Sequence, residues 1–161
     1  MRNRIIIISL SWFLVILTMI IIFNFSTEDA ATSTQTSAGV VTDVLGVVMD
    51  KDDITPKVVE KFQLPFRKVA HFCIYMLLGF CVISAYEKSF KINFWLNCAL
   101  SLVFCFAYAV TDEIHQSFSA GRAPTPIDAL IDTSGAIIGI GVFVGFISLY
   151  RFIIKIRSRS N

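Results

Sequence analysis

From Ile5 to Phe25 the chain carries no charged residue. A helix that crosses a bilayer needs roughly 20 predominantly apolar residues, so this single run is long enough to span. Three further apolar runs follow: Phe72 to Tyr86, extended upstream by His71; Phe94 to Thr111; and Ala129 to Ile154, interrupted by Asp132 and Arg151. The second reaches spanning length only with its polar first turn, which puts its start near Pro65. Composition agrees: hydrophobic residues make up 55% of the 161 and charged residues 16%, against about 25% charged in an ordinary soluble domain. Mean hydropathy is +0.71. Too few polar groups remain to cover a wet surface, which excludes a soluble cytosolic enzyme and a disordered tail. The formal net charge of +2 is too small to argue for nucleic acid as a partner.

The expected fold class is therefore all-α: a single polytopic membrane domain over residues 1–161, with four transmembrane helices at about 5–25, 66–86, 94–112 and 127–150. Arg2 and Arg4 precede the first run as a signal peptide's basic segment would. Its apolar core, at about 19 residues, exceeds the usual 7–15, so a retained helix is expected. Cys73, Cys81, Cys98 and Cys105 all lie in apolar runs with no CxxC pair, and read as small buried hydrophobes.

Lysine and arginine counts set the orientation. With a cytoplasmic N-terminus, the inner side holds Arg2, Arg4, Lys88, Lys91, Arg151, Lys155, Arg157 and Arg159, with Glu87 the one acid. All the other acidic residues fall outside. A multi-pass cell-membrane protein with both termini cytoplasmic is expected. Arg67 and Lys68 then lie on the outer side, against the usual bias. The outer loop of residues 26–65 is too long to lack structure. Val40, Val41, Val44, Val47 and Val48 recur at helical spacing, and a dozen residues cannot span, so an interfacial or re-entrant helix is expected there. Thr55-Pro56 starts another short helix, Thr as cap and Pro in the first turn.

Three polar clusters share that outer end. Arg67, Lys68, His71 and Tyr75 open the second span at spacings of three and four, on one stripe. Two cations in a helix's first turn oppose its dipole and are better tolerated with an anion at hand. Snorkelling at the head-group level is the other reading. Tyr108, Asp112, Glu113, His115 and Gln116 close the third span, where two acids again oppose the dipole. Arg67 and Lys68 against Asp112 and Glu113 is the direct pairing. Asp112 beside His115 has the composition of a general acid–base pair. Asp, Glu and His also suit a divalent metal, but one helical turn supplies too few ligands, and no metal is assigned. The third cluster is Gly121-Arg122, then Thr125-Pro126-Ile127-Asp128, a capped helix start, then Asp132 one turn deeper. A carboxylate below the head groups needs a partner or a function, and Arg122 suits bidentate anion binding. Gly135/Gly139 and Gly141/Gly145 form two GxxxG pairs, which read as helix packing within the chain or between copies in a homo-oligomer.

These residues, in this order, resemble the VanZ-like membrane protein family. The matching pieces are Lys68-x-x-His71-Phe72-x-x-Tyr75-x-x-Leu78-Gly79, then Tyr108-x-x-x-Asp112-Glu113-x-His115-Gln116-x-Phe118, then Gly121-Arg122 and Asp128-x-x-x-Asp132-x-x-Gly135-x-x-x-Gly139. Two positions depart: Ile74 stands where the family often has Glu, and Asp132 where Asn is common. The name-giving member accompanies glycopeptide-resistance clusters, so the resemblance implies action at the outer face of a bacterial membrane and a part in teicoplanin resistance. Two functions fit. In one, Arg67, Lys68, His71, Tyr75, Gln116, Arg122, Asp128 and Asp132 hold an anionic head group of a membrane lipid or lipid-linked cell-wall precursor, and Asp112, Glu113 and His115 move a proton or orient water. In the other, the protein is a non-enzymatic scaffold whose polar cluster is a structural ion-pair network. No cofactor is specified by either.

Overall fold

The computed structural model describes residues 2–27, 30–50, 53–119 and 125–158. Among them the chain is helical, with no strand: α1 (Arg2–Thr27), α2 (Ala30–Val48), α3 (Pro56–Ser89), α4 (Phe94–Gln116) and α5 (Pro126–Arg157). Four of these, α1, α3, α4 and α5, are long and apolar enough to cross a membrane. Their outward faces are apolar, with Phe13, Val103 and Phe146 each about three-fifths exposed, as lipid contact requires.

The spans alternate in direction. Near one end, the Trp12 indole donates to Ser89 Oγ at 2.9 Å and the Lys88 ammonium to Ser11 Oγ at 3.0 Å, which sets α1 antiparallel to α3. The Tyr108 hydroxyl donates to the Met19 carbonyl at 2.7 Å, and Gln116 reaches Ser26, so α4 runs parallel to α1. On α5, Arg151 lies 6.0 Å from the Phe94 ring at the start of α4. The first residues of α1 and the last of α5 therefore share one end of the bundle.

α1 is apolar all round, so its buried face is marked by size rather than hydrophobicity. Ser11, Val15, Thr18, Ile22 and Ser26 form that stripe. Small residues let helix backbones approach in lipid, and the hydroxyls of Ser11 and Thr18 satisfy themselves on the carbonyls of Ile7 and Leu14. α1 is thus a packed member of the bundle.

The tightest contact joins α3 and α5, which run parallel. A Cβ on Gly79 would strike the Ala136 backbone, one on Gly135 the Phe72 carbonyl, and one on Gly139 the Met76 carbonyl. The first GxxxG pair is therefore internal packing. The second is not: Gly141 and Gly145 face open space. This close approach sets the register that brings Lys68 to Asp128 and His71 to Asp132.

Several expectations change: the helix at the valines is longer than a dozen residues, at Ala30–Val48, and of the cysteines expected to be buried Cys73 is exposed. The short helix at Thr55-Pro56 and the second span are one helix, continuous through Pro65. Proline removes one backbone donor and strains the turn, but helix on both sides carries the chain through. At 1.5 Å per residue α3 is about 50 Å long, more than a bilayer core of about 30 Å, so its first turns stand beyond the span. There α2 packs on it through Val41, 2% exposed, with Val59 buried on the α3 side. Val40, Val44, Val47 and Val48 remain exposed. Thr55 holds the cap position with Pro56 after it, but its side chain makes no cap bond. Among the cysteines, Cys81 and Cys105 are buried, Cys98 is half-buried and Cys73 is exposed; all four are free.

Candidate functional site

The end of the bundle formed by the first turns of α5, the last turns of α4 and α1, and the Lys68–Tyr75 stretch of α3 carries nearly every polar residue singled out from sequence. α5 starts as its sequence dictates. Thr125 Oγ1 accepts from the Asp128 backbone N–H at 3.2 Å and donates to Asp128 Oδ2 at 2.9 Å, the N-cap half of a capping box. The Thr125 backbone N–H is taken by Glu113 Oε2 at 3.1 Å. Glu113, 8% exposed, thus ties the end of α4 to the start of α5 and supplies from another helix the acceptor that a capping box usually finds within its own.

Asp128 also receives the Lys68 ammonium at 2.5 Å. The expected pairing of Arg67 and Lys68 with Asp112 and Glu113 is therefore not the one formed. Asp128 lies at the rim and Glu113 already accepts a backbone donor, so the lysine closes on α5. The Lys68 side chain keeps 46% of its surface exposed. Arg67, next along, is half-buried and forms no ion pair among the described residues.

One turn deeper, three helices each contribute one group. His71 Nδ1 of α3 lies 3.9 Å from Asp132 Oδ2 of α5, and Asp112 of α4 completes a set whose nitrogen and oxygen atoms all lie within 4.8 Å of one another. Asp112 is 3% and Asp132 2% exposed. Gln116 Nε2 donates to Asp112 Oδ2 at 3.2 Å and reaches Ser26 Oγ at 3.4 Å, linking α4 to α1. Beneath the set sits Tyr75, fully buried, whose hydroxyl has no hydrogen-bond partner among the described residues. The carboxylates that act most strongly on that hydroxyl are Asp112 and Asp132.

His115 stands apart. Its ring stacks on Phe23 of α1, centroids 4.5 Å apart, and its Nε2 lies 3.3 Å from Thr27 Oγ1. It makes no hydrogen bond to Asp112. The imidazole that joins the buried carboxylates is His71. Gly121 and Arg122 lie outside the described residues. The sequence reading missed Ser26, fully buried where α1 meets α4. It also missed a second polar tie at the opposite end, where Asn97, 1% exposed, donates to Glu87. The signal for Asn97 was an amide inside an apolar run.

The sequence model of the VanZ/LLP1 family matches residues 11–150. The chain belongs to the VanZ/LLP1 family. That match runs from Ser11 within α1 to Tyr150 within α5, and hence takes in every residue of the cluster. No curated protein and no solved structure matches this VanZ/LLP1 chain.

Proposed function

We propose that this VanZ-like membrane protein handles or modifies an anionic, lipid-linked head group at the outer face of the bacterial membrane, and through it contributes to teicoplanin resistance. The observation that carries this reading is the Lys68 side chain at the rim of the cluster, 46% exposed although it is paired with Asp128. Lysine has three N–H donors; Asp128 takes one from Lys68, and the half-exposed ammonium keeps donors for a phosphate or carboxylate. Arg67 adds a planar donor array beside it. Both cations stand on the side that the positive-inside bias disfavours, which supports an anionic ligand there. Asp112, Glu113 and Asp132 lie behind them, buried, with the half-buried His71, as proton-handling or orienting groups.

The second reading, a scaffold or partner-binding protein locked by ions, is favoured by the Lys68–Asp128 bond itself. Arg67→Gln separates the two, since it leaves that bond intact. The purified protein in nanodiscs of phosphatidylcholine with a minority of phosphatidylglycerol should retain phosphatidylglycerol in native mass spectra, and Arg67→Gln should lose most of it. Equal retention in wild type and variant contradicts the head-group reading. Restoration of resistance in cells by Lys68→Asp combined with Asp128→Lys, with each single variant inactive, would favour the lock.

A further inference from the structure

We infer that His71, Asp112 and Asp132 form a binding site for one divalent transition-metal ion, of the Zn2+ or Mn2+ type. This deepens the head-group reading and rests on the same pocket. One turn of α4 offers too few ligands for a metal. The fold supplies the missing ones from two other helices, with an imidazole from α3 and a second carboxylate from α5. Ligand atoms within 4.8 Å of one another need to close by an ångström or so, because neighbouring ligands on an ion at about 2.1 Å stand about 3.0–3.4 Å apart. One nitrogen and two carboxylate oxygens suit Zn2+ or Mn2+ better than a soft ion. Three protein ligands would leave coordination positions open for a water or a substrate.

Two observations point to a ligand here. Asp112 and Asp132 are 3% and 2% exposed, and two carboxylates from different helices, with ligand atoms within 4.8 Å of each other, share the one imidazole of His71. A buried carboxylate in that company needs a counter-charge. The Tyr75 hydroxyl, fully buried and without a hydrogen-bond partner among the described residues, lies one helical turn from His71 on the same stripe of α3 and within electrostatic reach of the same two carboxylates. With an ion present, it becomes the donor that orients their remaining oxygens, the usual companion of a metal-bound carboxylate.

The test uses the full chain, purified in detergent, stripped with EDTA and titrated with Mn2+ under electron paramagnetic resonance. The expected result is one Mn2+ per chain, displaced by Zn2+, with electron-nuclear coupling to one imidazole nitrogen. His71→Gln and Asp132→Asn should each weaken binding by at least about tenfold, and Tyr75→Phe by about tenfold. Asp43→Asn, on the exposed face of α2, should leave it unchanged. A wild type that binds neither ion, binds Mn2+ without nitrogen coupling, or binds it as tightly after His71→Gln overturns the inference. The nitrogen coupling decides the matter in wild type alone, even where a variant fails to fold. No lipid enters this measurement, so a bound ion without phosphatidylglycerol retention would sink the head-group reading and leave the metal site standing, and the converse result would do the reverse.

Discussion

At the scale of single residues, the pocket separates groups that hold the bundle from groups with capacity left over. Glu113 belongs to the first kind. Glu113→Ala leaves the half-buried Thr125 N–H without its charged acceptor and should cost about 1–3 kcal/mol, read as a lowered midpoint of thermal unfolding in detergent; Glu113→Gln keeps a carbonyl acceptor and should lose much less. Tyr75 belongs to the second. Its hydroxyl bonds to nothing among the described residues, so Tyr75→Phe should leave unfolding of the metal-free protein unchanged or slightly improved. A large loss of stability there would mean that the hydroxyl has a partner within the protein. The sequence told which residues could share a stripe, because spacing on one helix is local geometry. It did not tell which stripes meet. Lys68 with Glu113 and Lys68 with Asp128 are equally good pairs by charge, and only the seating of α3 on α5 selects Asp128. For the same reason, His115 three residues from Asp112 looked like its partner, while the histidine that reaches Asp112 and Asp132 comes from α3.

At the scale of elements, glycine positions carry the geometry. Gly139→Ala forces a methyl against the Met76 carbonyl and the Phe80 amide, backbone atoms that cannot turn aside. Overpacking of this kind costs about 1–3 kcal/mol, and the α3–α5 register that aligns the pocket should slip with it. Gly145→Ala meets open space and should leave the melting midpoint unchanged. A comparison of the two by unfolding in detergent checks the assignment of the two GxxxG pairs. The spans α1, α4 and α5 were legible because long runs without charge have few other solutions. α3 was legible only in part: Pro65 and the polar turns around it read as a boundary, whereas helix on either side and packing against α2 carry the chain through. α2 begins upstream of the valine stripe because Ala30 to Gly39 has no apolar periodicity to announce a helix.

At the scale of the molecule, alternation of four spans places the polar ends of α1, α3, α4 and α5 together, with Lys88, Glu87 and Asn97 at the other end. The account depends on the pocket end facing outwards. Impermeant maleimide labelling of intact cells tests this directly, in a protein whose four native cysteines are replaced. Phe118→Cys reports the pocket end, since Phe118 follows α4 and is 82% exposed, and Lys91→Cys reports the opposite end, also exposed. Phe118→Cys should label from outside, and Lys91→Cys only after the membrane is opened. Labelling of Lys91→Cys in intact cells with Phe118→Cys protected would contradict it.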